Sequence, residues 1–382
     1  MKPFRKLIFW IHLTCGVTCG IVIFIMCVTG ALLAFEKNIT EYAERDVRAV
    51  SVSDAQRLPV SELLAKVTEA KPDAKPSTIV VQNDPDAAVA VSLGRDSQVF
   101  IDPYTGAITG ESSKGVRSFF RTVTDAHRYL AMYGDGRPVG KAITGLCNVM
   151  FLILAVSGIY IWMPRTLNWR RIKPVLWFRR TSSSKARDFN WHNVIGFWCS
   201  LVLIVLTLTA VVISYQWAGN LLYTITGNEP PRRQNSPIKD SRAEQVVIPD
   251  NLDTLWSRAE RQSGGWRSIS LKLPVTKEAV FTIDEGRSWN MFGRSTLTFD
   301  TLTADIVKWE SYTEQNSGRQ LRSWFRFSHT GEIGGIVGQF VGFAACIGGA
   351  FLVYTGLALA FRRLIAWARR RSREDLITDY EG

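Results

Sequence analysis

The chain has 382 residues, 46% of them hydrophobic, and a net charge of +12 from 46 Lys and Arg against 34 Asp and Glu. It is too apolar and too long for a single soluble domain. All six cysteines fall in apolar runs, which argues against a disulfide framework in the polar segments.

Four stretches without Lys, Arg, Asp or Glu are long enough to cross a bilayer. The first is about twice the length of a secretory h-region, so the sequence predicts a retained anchor. The third is long enough to continue into the membrane interface. These stretches are Leu7–Phe35, Ala142–Met163, Phe189–Leu222 and Ile333–Phe361, and we assign the transmembrane helices within 1–35, 139–163, 189–217 and 333–361.

Basic residues concentrate in the connector 164–188 and in the tail 362–382. The positive-inside rule places both segments and the N-terminus in the cytoplasm. The two long segments, 36–138 and 218–332, mix acids and bases and are expected on the outer side. The net charge therefore reflects membrane topology, with lipid as the surrounding partner, and nucleic-acid binding is not predicted.

Both outer segments have the pattern of an α+β domain. Helices are predicted over Val60–Glu69 and Leu252–Arg261, where apolar residues recur at helical spacing. Alternating apolar residues followed by turn formers predict strands. These are Ile79–Gln82, Ala88–Leu93 and Gln98–Ile101 in the first segment, and Ile269–Lys272, Ala279–Ile283 and Thr296–Phe299 in the second; Glu229–Pro249 is predicted as a loop.

The halves of the chain resemble each other. His12-x3-Gly16 opens the first span and His192-x3-Gly196 opens the third. In the outer segments Asp102-Pro-Tyr-Thr105-Gly-Ala-Ile108 corresponds to Asp300-Thr-Leu-Thr303-Ala-Asp-Ile306, and in each a strand leads into a turn opened by Asp. Such self-similarity predicts two copies of one unit, related by an axis along the membrane normal because both begin on the same side.

The chain contains four histidines, His12, His127, His192 and His329. His12 and His192 lie at the cytoplasmic start of a span, and His127 and His329 lie just before the outer start of one. The repeat would bring each pair face to face. Two facing imidazoles in a helical bundle suit a six-coordinate haem b, so the pattern predicts two bis-His haems b with these four residues as iron ligands.

Other interpretations of these residues remain open. A single histidine at a membrane edge is commonly an interfacial residue, and His12 with Cys15 and Cys19 could hold zinc or copper. The cysteines also suit simple helix packing. Glycines Gly16 and Gly20 share a helix face with His12 and would leave room for a flat group. Asp125 and Glu332 are candidate orienters of the outer histidines, and candidate partners for haem propionates are Arg5, Lys6, Arg187, Arg121, Arg128 and Arg326.

With four spans, two outer domains carrying the Asp102-Pro-Tyr-Thr-Gly type of turn, and paired histidines, the chain resembles the PepSY-associated transmembrane proteins over nearly its whole length. The second turn, at Asp300, lacks the Pro and Gly. The resemblance implies a four-helix transmembrane bundle with two periplasmic α+β domains in an internal two-fold repeat. It extends to the ferrisiderophore reductases of Gram-negative inner membranes, which implies two haems b and ferric siderophore as substrate.

The function predicted from these features is a transmembrane electron conduit that reduces a ferric siderophore in the periplasm. One-electron reduction requires no acid–base pair, so no catalytic side chain is assigned. No Gly-x-Gly-x-x-Gly follows a strand, so the electron donor must be separate, either a quinol or a cytoplasmic reductase. The alternative is a cofactor-free module whose outer domains bind or inhibit a periplasmic partner. A metal or siderophore transporter is disfavoured by the apolar span centres Ile21–Ile25 and Leu201–Leu206.

Overall fold

The computed structural model describes residues 3–94, 97–164, 168–231, 248–286 and 293–381. Arg165 of the basic connector and most of the predicted loop Glu229–Pro249 lie outside these ranges. The chain forms two compact units. We call Met1–Glu36, Arg121–Leu222 and Trp324–Gly382 the membrane unit, and Lys37–Phe120 and Tyr223–Ser323 the sheet unit.

Helices occupy both units and the segments that join them. In chain order they are α1 (Pro3–Leu33), α2 (Glu36–Ala43), α3 (Arg45–Arg48), α4 (Val60–Ala70), α5 (Lys114–Tyr129), α6 (Arg137–Trp162), α7 (Trp169–Leu176), α8 (Ser184–Ser214), α9 (Gln216–Ile225), α10 (Leu252–Gln262), α11 (Ser317–Thr330) and α12 (Gly335–Glu381).

Helices α1, α6, α8 and α12 confirm the four predicted spans, because each is long and apolar enough to cross a membrane. The protein is therefore a multi-pass membrane protein. The third span is shorter than its apolar run: α8 ends at Ser214, Tyr215 is extended, and a separate helix follows. The fourth helix continues beyond the predicted limit at Phe361 into the basic tail.

The four spans pack against one another around a core of small and sulphur-containing side chains. Three buried cysteines, Cys19, Cys27 and Cys147, lie in it together with Phe151 and Ile23. Small residues allow helix backbones to approach closely in a membrane, where no hydrophobic force draws helices together. Helix α6 also carries the buried Asn148, which donates a hydrogen bond to the Thr207 carbonyl of α8 at 3.0 Å. The spans are thus less uniformly apolar than the sequence suggested.

The sheet unit contains one antiparallel sheet of eight strands in the order β4-β3-β2-β1-β5-β6-β7-β8. Each outer segment contributes four consecutive strands, joined where β1 pairs with β5. The sequence predicted two outer domains and did not predict this shared sheet. The strands are β1 (Thr78–Gln82), β2 (Val89–Ser92), β3 (Gln98–Ile101), β4 (Ile108–Glu111), β5 (Ser268–Lys272), β6 (Glu278–Asp284), β7 (Arg294–Asp300) and β8 (Ile306–Glu310).

Helices α4 and α10 share one hydrophobic core with the sheet. Leu63, Leu64 and Val67 of α4 recur at helical spacing and are fully or almost fully buried. Along the strands, buried residues alternate with partly exposed ones, as a sheet with one covered face requires. The helices predicted over Val60–Glu69 and Leu252–Arg261 are confirmed to within a residue.

The two predicted Asp turns are both present. The Asp102 carboxylate accepts hydrogen bonds from the backbone N–H of Tyr104 and Thr105, and Asp300 does the same for Leu302 and Thr303. These two N–H donors hold the pKa of Asp300 below its ordinary value. The second turn lacks Pro and Gly, yet Ala304 adopts the positive φ of 59° that Gly106 takes at 71°. The carboxylate therefore preserves the turn without the glycine.

Glu44 is the most strongly buried acid of the sheet unit, with 2% of its surface exposed. Its carboxylate accepts hydrogen bonds from Arg117 at 2.6 and 2.9 Å, from Arg48 at 2.7 and 3.1 Å, and from the Ser113 backbone N–H. Burial disfavours the charged form, but the hydrogen bonds and charges of Arg117 and Arg48 outweigh it and lower the pKa of Glu44. This carboxylate joins the start of α5 to the α2–α3 turn.

Replacing Glu44 by Gln is expected to lower the free energy of unfolding of the sheet unit by about 2–4 kcal/mol. This loss is smaller than the loss expected on breaking a fully buried ion pair, because both guanidinium groups are partly exposed. Because the folded pKa is depressed, the stabilisation is complete above the ordinary value of 4.5 and is lost as the pH falls through the folded value. Hydrogen exchange of the strand amides measures both effects. Glu62→Gln, which removes only an exposed ion pair with Lys66, is the control and should cost less than ~0.5 kcal/mol; equal costs would contradict the assignment.

Candidate functional site

The four histidines meet in two pairs within the membrane unit. The ring centres of His12 on α1 and His192 on α8 lie 6.4 Å apart. Those of His127 on α5 and His329 on α11 lie 6.5 Å apart. The structure thus brings together the predicted partners, in the predicted combinations. The rings are almost perpendicular in the first pair, at 85°, and tilted by 53° in the second.

Each imidazole is held at Nδ1 by a hydroxyl from a membrane-spanning helix. His12 lies 2.9 Å from Ser157 of α6, and His192 lies 2.9 Å from Thr355 of α12. For the second pair, Thr29 of α1 lies 2.9 Å from His127, and Thr209 of α8 lies 3.2 Å from His329. Among the described residues, none of the four Nε2 atoms has a hydrogen-bond partner.

These hydroxyls determine which nitrogen carries the proton. A hydroxyl has one proton to donate, and Thr29, Thr209 and Thr355 each place theirs on a carbonyl one turn earlier in their own helix, at 2.6–2.8 Å. Ser157 has the same kind of bond to Leu154, at 3.3 Å. This geometry favours a hydroxyl oxygen that accepts from the imidazole, with the proton on Nδ1 and the lone pair on Nε2. At His329 the Leu206 carbonyl, 3.0 Å from Nδ1, reinforces this tautomer.

A small residue directly follows every one of these hydroxyls, in the dipeptides Thr29-Gly30, Ser157-Gly158, Thr209-Ala210 and Thr355-Gly356. A Cβ at Gly30, Gly158 or Gly356 would come within 3.3–3.4 Å of the Cε1 of His127, His12 or His192, respectively. The glycine thus lets the imidazole lie against the helix that supplies its hydroxyl. Sequence reasoning missed these residues, although a hydroxyl followed by Gly or Ala occurs in every span.

The spacing fits two imidazoles that ligate one metal ion. Metal–nitrogen bonds of about 2.0–2.1 Å on opposite sides of one ion, plus roughly 1.1 Å from nitrogen to ring centre, separate the ring centres by ~6.3 Å. The observed separations of 6.4 and 6.5 Å agree with this value. The bare Nε2 is also the form of imidazole that binds a metal. Both pairs therefore fit the axial ligation of a haem iron.

Several other predicted contributors have different roles in the structure. Gly16 faces Leu154 at 3.7 Å and Gly20 faces Leu357, so these glycines serve helix packing and do not form an open cradle. Asp125 pairs with Arg137 at 3.3 Å, while Thr29 orients the neighbouring histidine. For His329 the described orienting groups are Thr209 and the Leu206 carbonyl, and no described bond joins it to Glu332.

The structure provides no ligand cluster for the alternative zinc or copper site at His12. Among the residues that the structure describes, no three or more His, Cys, Asp or Glu residues cluster closely enough to hold a metal ion. The Cys15 thiol contacts the Met150 sulphur at 3.5 Å, and Cys19 is buried in the bundle core. Both cysteines therefore act as packing residues.

The basic residues proposed near the histidines differ in their partners. Arg187 and Arg362 both bond the fully buried carboxylate of Asp188, at 3.0 and 2.7 Å. Asp188 lies one turn before His192 on α8, and Arg362 lies two turns after Thr355 on α12. This ion pair thus fixes α8 against α12 next to the bond between His192 and Thr355. Arg128 and Arg326 lie against the neighbouring rings of Tyr129 and Phe327.

Comparison with known families gives one match. The model described as the PepSY-associated TM region matches residues 9–363, which include all four histidines and their hydroxyl partners. A search of curated proteins found no match.

Replacing Thr29 by Val is expected to weaken the affinity of the His127/His329 pair for haem by about 10- to 100-fold. Valine preserves the shape of the side chain but leaves the imidazole Nδ1–H without its acceptor. Titration of haem into the cofactor-free protein measures the effect. Thr18→Val is the control, because the exposed Thr18 hydroxyl of the same helix bonds only to its own helix and to Cys19. Thr29→Ser should bind as the wild type does; unchanged binding by Thr29→Val would show that the hydroxyl does not position the ligand.

Proposed function

The chain belongs to the PepSY-associated transmembrane family, and we propose that it is a di-haem b oxidoreductase that carries electrons across a bacterial inner membrane and reduces ferric siderophores. The observation that carries the proposal is the pairing of the four histidines, each with a hydroxyl at Nδ1 and with no described partner at Nε2. Ionisable side chains within a membrane bundle are costly, and four with the same kind of partner at Nδ1 indicate a common ligand function.

The protein residues supply ligation, orientation and an apolar surrounding. His12 and His192 would hold one haem, and His127 and His329 the other. A haem iron with two imidazole ligands supplies a one-electron carrier that needs no change of ligands. The hydroxyls fix the planes of the rings, and the adjacent glycines allow close approach. The apolar residues of the spans exclude water from the bundle between the two pairs.

The distance between the two histidine pairs supports a role in carrying electrons across the membrane. Helix α1 carries His12 of one pair and Thr29 at the other, and the rise of 1.5 Å per residue places these about 25 Å apart. This length approaches the ~30 Å of the hydrocarbon core. The basic segments 164–188 and 362–382 support a cytoplasmic location for the His12/His192 end and for both termini, with the sheet unit in the periplasm.

The matched roles of the two halves support an internal two-fold repeat. Helices α1 and α8 each supply one histidine and one threonine, and α6 and α12 each supply one hydroxyl. Gly16 faces Leu154 much as Gly196 faces Leu352, at 3.7 and 3.5 Å. Each half also contributes four strands and one helix of the shared core, α4 or α10, to the sheet unit. These outer parts correspond to the two proposed PepSY-like domains.

The proposed substrate is a ferric siderophore, and the donor is a separate quinol or cytoplasmic reductase. Siderophores hold ferric iron through hard oxygen ligands, and these bind ferrous iron far less strongly. One electron delivered to the chelated ion therefore releases the metal.

The purified protein should contain two haems per chain and show the absorption bands of a low-spin b-type centre. His127→Ala and His192→Ala should each retain one, because each variant removes a ligand from a different pair. The haem concentration, measured by absorption and divided by the protein concentration, gives the number of haems per chain. Asn193→Ala, which alters a partly exposed neighbour of His192, is the control and should keep both haems. A colourless wild-type preparation would favour the cofactor-free binding module, and a variant with both haems at full occupancy would contradict the pairing.

In sealed vesicles with a reductant on the inside and a ferric siderophore outside, the protein should generate ferrous iron that an external chelator traps. Reduction should fall at least ten-fold in both His127→Ala and His192→Ala, since the electron must pass both pairs. Asn193→Ala should retain the wild-type rate. Equal rates in protein-free vesicles, or full activity in either histidine variant, would reject the proposal.

A further inference from the structure

The indole of Trp162 at the end of α6 has a buried N–H without a partner. Within the part of the chain that the structure describes, only one other buried side-chain polar atom, an oxygen of Asn251, has no hydrogen bond. The Trp162 ring stacks on Phe197 of α8, with ring centres 4.6 Å apart and an angle of 23°. A buried donor without an acceptor is costly in free energy, so it calls for a ligand that supplies the acceptor.

Arg5 brings a positive charge to the same end of α6. Its guanidinium donates to the backbone carbonyls of Ile161 and Met163, the two residues that flank Trp162; the bond to Met163 is 3.0 Å. Both bonds use Nη2, so Nη1 and Nε have no partner among the described residues. Arg5 also has no acidic partner in the described ion pairs. The end of α6 therefore carries a buried indole N–H and, bonded to the backbone on both sides of it, a guanidinium with unused donors. This donor set matches an oxyanion.

Both donors lie on helix faces that carry the His12 site. Trp162 is one turn beyond Gly158, the residue that lies against the ring of His12. Arg5 is two turns before His12 on α1 and shares its face. The corresponding place on α12, one turn beyond Gly356, holds Ala360, and the nearby Arg362 is bonded to Asp188. Among the described residues, this donor set is thus found on the His12 side of the pair and not at the corresponding place on α12.

We propose that Trp162 and Arg5 bind a propionate carboxylate of the haem held by His12 and His192. This inference rests on the proposed function, because it needs a haem at that pair. A carboxylate would satisfy the indole N–H and the guanidinium at once, and a neutral carbonyl would leave the charge uncompensated. A lipid phosphate or a free anion has similar oxygen chemistry, and the test separates these sources by blocking the carboxylates of the haem.

The experiment uses the full-length His127→Ala protein, in which only the His12/His192 pair can bind haem. Trp162→Phe keeps the stacked ring and removes only the N–H donor. We expect it to weaken haem binding by roughly 10-fold or more, the loss typical of a hydrogen bond to a charged group. Haem dimethyl ester, which has no carboxylate, should bind the parent more weakly by a similar factor. Trp162→Phe and Arg5→Gln should add no further loss with the ester.

Two controls locate the effect. Trp10→Phe alters a partly exposed tryptophan of α1 and should leave haem affinity unchanged. In the His192→Ala background, where only the other pair binds haem, Trp162→Phe should have no effect. Equal losses for haem and its ester in Trp162→Phe would assign the donors to another anion and overturn the proposal, as would unchanged haem affinity. A wild-type chain that binds no haem would reject the proposed function itself, and this site with it.

Discussion

A hydrogen bond between an imidazole Nδ1–H and a helix hydroxyl is the interaction on which the rest of the membrane unit depends. An imidazole without it would rotate or change tautomer, and the facing nitrogen would lose its direction. The hydroxyl can accept because its own proton is already bonded to a carbonyl one turn earlier. In a helix, the carbonyl one turn earlier lies within reach of every mid-helix threonine hydroxyl. The backbone of one helix thereby influences which nitrogen of a histidine on another helix carries the proton.

The small residue after each hydroxyl completes this arrangement. A methyl group at Gly30 would lie 3.3 Å from both the His127 ring and the Cys346 sulphur, so this position leaves little room for a larger side chain. Close packing and ligand orientation thus come from one dipeptide. In the sheet unit the buried polar group is the carboxylate of Glu44. It is stabilised by the positive charges of two arginines and not by close packing alone. The two units therefore stabilise their polar groups by different means.

Much of the architecture could be predicted from the sequence because its signals are local. Span lengths, strand alternation and the Asp102 and Asp300 turns depend on neighbouring residues, and the structure confirms them. The histidine partners were also predictable, because the two halves of the sequence resemble each other around them. The joining of both outer segments through β1 and β5 was not, because strand pairing across the chain leaves no local signal.

The details of the site were harder to predict for a physical reason. Glycines at helical spacing from His12 suggested a cradle, but a helix position does not show which neighbour it faces. Gly16 contacts a leucine, and the glycine that contacts His12 lies on another helix. Likewise Asp125 is adjacent to the histidine in sequence, while Thr29, almost a hundred residues away, bonds it. We expected carboxylates to orient the outer histidines because they are charged. In a membrane, however, a neutral hydroxyl can hold the imidazole without the free-energy cost of an unpaired ion.

Helices α1 and α8 each carry a histidine of one pair and the threonine that bonds a histidine of the other pair. Each helix is therefore a continuous rod between the two pairs. Sliding or turning either rod shifts an imidazole directly at one end and strains or relaxes a histidine–hydroxyl bond at the opposite end. The geometries of the two pairs are thus mechanically linked, so a displacement at one end of the bundle reaches the other end without any element of the bundle unfolding.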